Sequence, residues 1–482
     1  MDLDLAALLP EIILALTACG VLTIDLFLPK EKRGIAFVLA VGGVLATLAA
    51  VINLYGANIT ILDGTFVIDR FAVIFKIVFC VAALMIFCVS QAYLKDDGEV
   101  PHGEFFTMML FALLGMLTIA SSRDLIAIFV ALEMISMPSF VLAGIRKSDI
   151  RSNEAALKFF LFGVLSSALM LFGMSLIYGL TGATNLADIS ESLAGQTGIE
   201  EVSLVAILFL IVGFGFKVSA FPFQWWVPDT YEGAPIPVAA FLSVASKTAG
   251  FVGLFQVMFL ALGGLADTWR PMFAIIGVVT ITFGNLVALQ QNQIVRLLAY
   301  SSIAQAGYML LPLGVASATD TDLNTRIVFA VVTYLLVYAF METGAFASAS
   351  AFGRRGGGYM VDDYAGMFAR SPVLALSMSA FLLSLAGIIP FAGFWAKLVI
   401  FQALIAGEGI WLAVAMVVNT VVALFFYAAV VKRMFFDKAE VMTPVKLPRV
   451  LAGTIGVAAL VIVIGGILPD FFARLAQNSH FF

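Results

Sequence analysis

Long apolar stretches separated by short polar segments run through the whole chain. Fourteen of them come close to the length of about 20 apolar residues that a helix needs to cross ~30 Å of hydrocarbon. They lie at residues 5–28, 35–55, 71–94, 104–121, 123–144, 155–180, 202–228, 236–262, 270–290, 296–316, 325–352, 371–405, 409–432 and 449–469. A backbone in lipid must satisfy its own hydrogen bonds, and the alternating pattern of an outer-membrane barrel is absent. We therefore predict an all-α membrane protein with about 14 transmembrane helices.

Two of the predicted spans contain helix-breaking residues. The seventh contains the sequence KVSAFP at residues 217–222, and the twelfth contains GIIPFAG at residues 387–393. Proline removes a backbone donor and clashes with the preceding turn. As one straight helix, residues 371–405 would be roughly 50 Å long, too long for the bilayer. We predict that both helices are broken at these prolines.

The positions of the two breaks indicate an internal repeat. The seventh and twelfth spans are five apart, so they cross the membrane in opposite directions. We expect helices 4–8 (residues 104–262) and helices 9–13 (residues 270–435) to form two inverted five-helix repeats. Helices 1–3 (residues 1–103) precede them and the helix at 449–469 follows, all within one polytopic membrane domain, residues 1–482. Broken helices at matching positions of inverted halves are typical of a transport site.

The loop charges predict the orientation. With both termini on one side, the opposite loops hold 16 Lys and Arg residues and the terminus side holds 5. The first group is Lys30, Lys32, Arg33, Lys95, Arg146, Lys147, Arg151, Arg296, Arg354, Arg355, Arg370, Lys432, Arg433, Lys438, Lys446 and Arg449. Cytoplasmic loops are richer in Lys and Arg. Both termini should therefore be periplasmic.

Composition narrows the possible chemistry. The chain is 62% hydrophobic and 12% charged, with a mean hydropathy of +1.07, which excludes a soluble domain. Its three cysteines form no CxxC pair, and His102 and His480 lie in polar segments. These residues do not assemble a haem, iron–sulfur or zinc site. We expect no cofactor or metal in this chain, and the acidic start favours an uncleaved first helix.

Five lysines fall inside the predicted helices: Lys76, Lys158, Lys217, Lys247 and Lys397. A charge at mid-membrane costs at least ~2.5 kcal/mol, so such residues are usually functional and face a partner or water. We expect functional roles for Lys217, Lys247 and Lys397, which lie near the breaks or at mid-span. Lys158 lies nearer the start of its helix, and Lys76 is close enough to the interface to reach it by snorkelling.

Acidic residues fall in the helices as well. Glu133 occupies the middle of the fifth span, and we expect it to pair with one of the lysines, because a lone buried carboxylate is costly. Glu342 lies within the eleventh span, where a satisfied polar contact and a place on a proton path remain equally open. Glu11 and Asp25 lie near the ends of the first span, where we expect them at the interface.

These residue types suit proton transfer. Burial weakens the hold of a lysine amine on its proton, and a nearby carboxylate strengthens it again. Movement of the carboxylate can thus load or unload the lysine. Polar residues that can hold water between the charged sites are Ser219, Ser243, Ser246, Thr248, Tyr300, Ser301, Ser302 and Gln305.

Four stretches resemble the antiporter-like subunits of respiratory complex I, the proton-pumping NADH:quinone oxidoreductase. They are KVSAFPFQWWVPDTYEGAPIP from Lys217, Ser246-Lys247-Thr248, RLLAYSSIAQAGYML from Arg296 and SLAGIIPFAGFWAK from Ser384. The resemblance covers helices four to thirteen. It is closest to the subunit N branch, because the helices stop near residue 469 without the long lateral helix of subunit L. In addition, Lys397 stands where subunit M and the related cation/proton antiporter subunit usually have glutamate.

The resemblance implies residue roles. Glu133 and Lys217 would form the charged pair of the input half-channel, Lys247 the central relay and Lys397 the exit-side carrier. Lys158 matches a lysine of the sixth helix in the same family. One departure concerns Gln224, because the family often has histidine at this position, and glutamine can order water but cannot titrate.

The resemblance also implies the setting. Redox chemistry in a peripheral arm would drive proton movement, with the partners being subunit M, the small membrane subunits and lipid, and no nucleic acid. The location would be a bacterial inner membrane, with a mitochondrial inner membrane as the alternative. Two other functions remain open, a subunit of a multi-subunit sodium/proton antiporter and a passive membrane anchor of a redox complex.

Overall fold

The structure, a computed structural model, describes residues 5–29, 34–194, 200–439 and 443–477. Within these ranges, thirteen helices are long and apolar enough to cross a membrane. The remaining predicted crossing, the twelfth, is made by two shorter apolar helices in succession. The predicted all-α membrane architecture is therefore confirmed. Residues 30–33 and His480, which entered the charge and cofactor predictions, lie outside the described residues.

The first half of the chain consists of α1 (Leu9–Phe27), α2 (Gly34–Asn53), α3 (Arg70–Asp97), α4 (His102–Ser121), α5 (Leu125–Ala143), α6 (Ile150–Thr181), α7 (Leu186–Ala194), α8 (Glu200–Val218), α9 (Trp226–Gly233), α10 (Ile236–Phe241) and α11 (Lys247–Phe255). The second half consists of α12 (Ala266–Ala288), α13 (Ile294–Leu310), α14 (Thr321–Gly356), α15 (Met367–Arg370), α16 (Pro372–Ala386), α17 (Ala392–Ala406), α18 (Ile410–Phe436), α19 (Arg449–Ile467) and α20 (Asp470–Gln477).

Both predicted helix breaks are present. Helix α8 ends at Val218 and α9 begins at Trp226, and the turn between them starts at Ser219, whose φ is +66°. Helix α16 ends at Ala386, and α17 begins at Ala392 after Gly387 with φ +86°. A left-handed residue ends a helix because the next amide can no longer continue the ladder. The pairing of the two halves as inverted repeats stays a prediction.

A feature that the sequence pattern did not predict is the irregular eighth span. It is one helical rod from α10 to residue 261, but Leu242–Ser246 and Gln256–Ala261 are π-helical. π-Helical turns are rare and occur frequently at functional sites. The first of them carries Ser243 and ends directly before Lys247.

Several small elements lie outside the predicted spans. Strands β1 (Ile59–Ile61) and β2 (Phe66–Ile68) form an antiparallel hairpin before α3. Helix α7 lies within the polar loop predicted at 181–201, and α20 follows the last predicted span. Each is three to nine residues long. Segments this short carry too little periodicity to be separated from loops.

The helices differ sharply in how much of their surface the protein covers. In its most apolar stretch α14 is 89% buried, whereas α6 and α18 are each only 33% buried. Helix α14 contacts α3, α10, α13, α16, α17 and α19. It therefore forms the centre of the bundle, while α6 and α18 present apolar side chains outward, as lipid-facing or partner-facing helices do.

The positions of Lys76 and Glu11 contradict two expectations from the sequence. Lys76 was expected to snorkel to the interface, yet its side chain is 0% exposed and its Nζ lies 2.7 Å from Oε1 of Glu11. Glu11 is itself buried, and the Phe66 ring lies 5.0 Å from the same ammonium. The ammonium stays inside the bundle because a carboxylate of α1 supplies its counter-charge.

Candidate functional site

Glu133 and Lys217 lie beside each other at the end of the first half of the broken helix. The Lys217 Nζ lies 3.9 Å from Oε1 of Glu133 and donates a hydrogen bond to the Ser136 hydroxyl one turn further along α5. Ser167 of α6 donates to the same Glu133 oxygen at 2.6 Å. The expected pairing of Glu133 with a buried lysine is therefore present. Its role in transport stays a prediction.

The two members of this pair differ in exposure. The Lys217 side chain is 6% exposed and that of Glu133 is 22% exposed. Glu133 opens into an apolar groove of about 390 Å³ on the outer face of α4 and α5. The groove is lined by Phe111, Phe129, Val130, Met134, Met137 and Pro138. The carboxylate thus faces the periphery of the bundle, while the lysine faces its interior.

Lys247 is the centre of a hydrogen-bonded network that joins the two halves of the chain. Its Nζ donates to the Ser302 carbonyl oxygen at 2.7 Å and to the Ser302 hydroxyl. Ser243, one turn before the lysine, lies 2.9 Å from the Ser302 hydroxyl and donates to Oε1 of Glu342 at 2.9 Å. The Tyr338 hydroxyl lies 2.9 Å from Ser243. A fully buried base and a fully buried acid are therefore joined by two serines.

Close backbone packing places Lys217 next to the helix of Lys247. A Cβ atom at Gly250 would lie 3.0 Å from the Cβ of Lys217, so α8 and α11 are in tight contact at this point. Lys247 precedes Gly250 by about one turn on the same helix. The two lysines therefore belong to facing surfaces of neighbouring helices.

A second cluster surrounds Gln305 of α13. The amide of Gln305 donates to the Leu385 carbonyl oxygen and to the Tyr427 hydroxyl, each at 3.2 Å, and accepts from the Tyr334 hydroxyl. Ser301 lies 2.5 Å from the Tyr427 oxygen. This cluster links α13, α14 and α18 to the last turn of α16.

Lys397 lies at the second break, as predicted. Its Nζ donates at 3.1 Å to the carbonyl oxygen of Ala386, which the end of α16 leaves free, and lies 4.4 Å from the centre of the Tyr308 ring. Leu385, whose carbonyl binds Gln305, is the preceding residue. At the break, neighbouring carbonyl groups therefore accept hydrogen bonds from Gln305 and from Lys397. The cluster around Gln305 thus reaches the second broken helix.

We call Glu133, Lys217, Lys247 and Lys397 the buried charged row. Of the polar residues expected between its members, Ser302 binds Lys247 and Ser243 binds Ser302, while Ser301 and Gln305 bind Tyr427. That these side chains hold water between the charged sites stays a prediction. Ser246 and Tyr300 lie in the same helices but do not join the hydrogen bonds described above, and Thr248 donates only within its own helix, to Val244. A row of bases and acids linked by hydroxyl groups can pass protons, because each hydroxyl accepts one proton while donating another.

Gln224 is buried at the first break with its amide oxygen and nitrogen both unpartnered among the described residues. The Ser219 hydroxyl in the same turn is also buried and unpartnered. Buried polar atoms are normally hydrogen-bonded to protein or to ordered water. This geometry supports the prediction that Gln224 orders water beside Lys217.

We expect Gln224→His to be tolerated and Gln224→Leu to slow turnover. Leucine removes a hydrogen bond worth ~1 kcal/mol, which corresponds to about a fivefold loss of rate. Both variants are tested by measuring the turnover of the purified assembly. Gln291→Leu, in an irregular turn, is the control. Full activity of Gln224→Leu would reduce Gln224 to a packing residue.

Lys158 does not join the buried charged row. Its side chain is 39% exposed, and its Nζ pairs with Glu154 at 2.7 Å and with Asp229 at 2.6 Å. Arg296 pairs with Asp229 at 3.0 Å and with Glu232 at 2.6 Å. Lys158 reaches the surface because it lies only about two turns into α6. Its part in proton translocation stays a prediction.

Asp229 is the shared partner in this surface cluster. Partial burial by itself would raise the pKa of the Asp229 carboxyl, but hydrogen bonds from Lys158 and Arg296 outweigh burial and lower its pKa. The carboxylate therefore stays ionised and ties α6, α9 and α13 together. Sequence analysis missed Asp229 and Arg296, although both stand inside the stretches that carry the family resemblance.

Sequence analysis also missed Tyr334 and Tyr338. They precede Glu342 at intervals of four residues, a spacing that places all three side chains on one face of a helix. The Tyr334 hydroxyl donates to Gln305, and the Tyr338 hydroxyl contacts Ser243. The spacing was the signal that could have found them.

Comparisons with known proteins agree with this geometry. Residues 122–423 match the family described as NADH:quinone oxidoreductase/Mrp antiporter, transmembrane. Over 478 residues the chain is 40% identical to NADH-quinone oxidoreductase subunit N of Moorella thermoacetica, covering 99% of this chain and 98% of that protein. It is 38% identical over 494 residues to F(420)H(2) dehydrogenase subunit N of Methanosarcina mazei, covering 99% and 98%.

A solved structure shares the fold. A chain of respiratory complex I from Thermus thermophilus with bound aureothin is similar with a TM-score of 0.80 and 28% sequence identity. The alignment covers 97% of this chain and 99% of that chain. The similarity therefore extends over nearly the whole length of both chains.

Proposed function

Because this chain belongs to the family of NADH:quinone oxidoreductase and Mrp antiporter transmembrane subunits, we propose that it is the proton-translocating, antiporter-like subunit N of an NADH:quinone oxidoreductase. One observation carries the proposal. Three buried lysines, Lys217, Lys247 and Lys397, and the partly buried Glu133 lie on or beside two broken helices, with hydrogen-bonded serine, tyrosine and glutamine side chains in the same region. Groups of this kind inside a membrane are costly and mark ion pathways.

The mechanism follows from the contacts. Glu133 and Lys217 take up a proton at the first break, where Gln224 and Ser219 hold water. Lys247 receives it across the tight contact of α8 with α11 and passes it into the serine network. Lys397 releases it at the second break. A change at the Glu133 carboxylate alters how firmly Lys217 holds its proton, which is the step that a partner can drive.

The driving chemistry belongs to partner subunits. One relative is named for NADH and another for F(420)H(2), and each matches this chain over nearly its whole length. Membrane subunits so similar can serve different electron donors only if the donor is selected elsewhere in the assembly. We therefore propose that this chain carries no cofactor of its own.

The two alternative functions are less well supported. The relatives compared above match from end to end and are named as subunits of NADH-quinone oxidoreductase and of F(420)H(2) dehydrogenase. The family resemblance also implies a lysine at position 397 in that branch. A passive anchor has no use for the buried charged row. Replacing buried charges with apolar residues often stabilises a protein, so their presence in an inert anchor would have no physical reason.

The setting we propose is a bacterial inner membrane, with subunit M and the small membrane subunits as neighbours and a peripheral redox arm attached through the complex. The outward apolar faces of α6 and α18 support a position among lipids and other membrane helices. Glu133, partly exposed in its apolar groove, favours a neighbour on that face, because lipid alone leaves a carboxylate poorly solvated.

Purification of the native assembly tests the function. Its partners are identified, the complex is placed in sealed vesicles, and NADH-driven proton uptake is measured with a pH-sensitive dye. We expect uptake that a protonophore abolishes and that is the same in sodium-free medium. Uptake that requires sodium, without any redox partner in the assembly, would favour the antiporter, and NADH oxidation without uptake would favour the anchor.

Topology is tested with reporter fusions. Both termini should be periplasmic, with the loops at 145–154 and 432–449 cytoplasmic, because those loops are rich in Lys and Arg. We expect fusions after Gly353 and after residue 482 to report opposite sides. Signals from the same side would mean that a crossing is miscounted.

A further inference from the structure

We propose that Glu342 is a catalytic residue of proton transfer, the acid that exchanges a proton with Lys247 through Ser302 and Ser243. This inference rests on the proposed function and assigns the step between the central lysine and the second broken helix. Glu342 lies on α14 and is fully buried, 95 residues along the chain from Lys247. It is not part of the stretches that carry the family resemblance.

The path consists of three consecutive contacts. The Lys247 ammonium donates to the Ser302 hydroxyl, the two serine oxygens lie 2.9 Å apart, and Ser243 donates to Oε1 of Glu342 at 2.9 Å. A hydroxyl group has one proton and rotates, so it can accept from one side and donate to the other. Transfer needs no movement of the backbone.

The transfer is balanced in protons and charge. Lys247 gives a proton to Ser302, Ser302 gives its own to Ser243, and Ser243 gives its own to Glu342. An ammonium and a carboxylate become an amine and a carboxylic acid, while both serines end as they began. No electron moves and no bond between heavy atoms changes. In a low-dielectric core the desolvation of two charges offsets their attraction, so the charged and neutral forms can be close in free energy.

The surroundings of the second carboxyl oxygen of Glu342 indicate that the negative charge of this carboxylate is transient. Oε2 is buried without a hydrogen-bond partner among the described residues. An ionised carboxylate with one unpartnered oxygen is costly in such surroundings, and a proton removes much of that cost. A purely structural acid would be expected to have both oxygens satisfied.

The titratable groups around Glu342 include tyrosines that lie between it and the second broken helix. Besides Lys247, those that interact with Glu342 include Tyr338 and Tyr334 of α14 and Tyr231 of α9. Tyr338 lies 3.1 Å from the Ser302 hydroxyl, and Tyr334 one turn earlier donates to Gln305. Gln305 in turn binds the carbonyl next to the one that Lys397 binds. Glu342 therefore stands at the junction between the central lysine and the exit-side lysine.

Glu342→Gln separates proton exchange from packing. Glutamine fills the same space and still accepts from Ser243, but it cannot take up a proton. We expect proton uptake of the assembled complex to fall by about a hundredfold or more, the lower end of what an acid–base group typically contributes. Glu342→Asp should restore part of the uptake with an altered pH profile. Thr343→Val, the neighbouring buried residue, is the control for packing and should match the parent.

Two further measurements make the outcome decisive. Ser243→Ala leaves Lys247 and Glu342 in place but interrupts the path between them, so it should also lower proton uptake. If Glu342→Gln fails to assemble, Ser243→Ala tests the path in its place. Infrared difference spectra of the parent should contain a carboxylic acid band that Glu342→Gln lacks. An assembled Glu342→Gln complex that pumps at the parent rate overturns the inference. If Lys247→Met pumps at the parent rate as well, the proposed function fails, which distinguishes the two cases.

Discussion

Replacement of Lys397 by methionine should leave the protein inserted and assembled while proton uptake by the complex falls by about tenfold, equivalent to ~1.4 kcal/mol in the barrier. Methionine has nearly the length of lysine but cannot hold a proton. The Lys397 ammonium donates to the Ala386 carbonyl oxygen at the end of α16 and lies over the Tyr308 ring. Loss of these contacts is local, because α17 is held by α14, α18 and α19 as well.

The comparison of three variants identifies what Lys397 contributes. Lys397→Glu should retain part of the uptake, because a carboxylate also carries a proton. Lys147→Met, at an exposed position of the loop before α6, is the matched control and should pump as the parent does. Assembly is checked on a native gel, and uptake is measured in vesicles. A methionine variant that assembles and pumps normally would show that Lys397 is not a carrier, and the passive-anchor function would become the better account.

Glu133→Ala is expected to depress pumping-linked turnover by about tenfold or more, with Glu133→Asp milder. The carboxylate is the counter-charge of Lys217 at 3.9 Å and accepts from Ser167. Alanine leaves the buried ammonium with the Ser136 hydroxyl and the Phe216 ring but without a counter-charge, which is costly. Aspartate keeps the charge but retracts it by one methylene group, so the interaction weakens without vanishing.

The measurement is NADH oxidation together with proton uptake by the assembled complex. Glu201→Ala, at an exposed acid near the start of α8, is the matched control because it removes a carboxylate far from any lysine of the buried charged row. We expect Glu133→Ala to lower both quantities together, since the pair couples proton uptake to the driving reaction. Parent values for both, in an assembled complex, would remove Glu133 from the mechanism.

Much of the architecture could be predicted because lipid leaves the chain few choices. Apolar runs of sufficient length must become helices, and Pro222 and Pro390 within such runs break them. The cost of charge in a membrane likewise made Lys217, Lys247 and Lys397 stand out from their neighbours. Glu133 followed from the same reasoning, because a lone buried carboxylate is costly.

The same reasoning failed for Lys76 and named no partner for Lys158, because it lacked the rotation of each helix about its axis. Both lysines were placed only by their distance from a helix end. The fold pairs Lys76 with Glu11 of another helix and buries it, whereas it turns Lys158 outward to Asp229. Depth along a helix can be counted in a sequence, but the direction of a side chain around the helix depends on how helices pack.

The sequence by itself determined the membrane class, the helix breaks and the identity of the four charged residues in the row, because local length, proline and the cost of charge decide these. Only the tertiary structure decided which groups connect them. Ser243 meets Ser302 and Glu342 across 59 and 99 residues of chain, and Gln305 meets Leu385 across 80. Such contacts arise between helices that are distant in sequence, and no local pattern encodes them, since they exist only once the bundle has packed around α14.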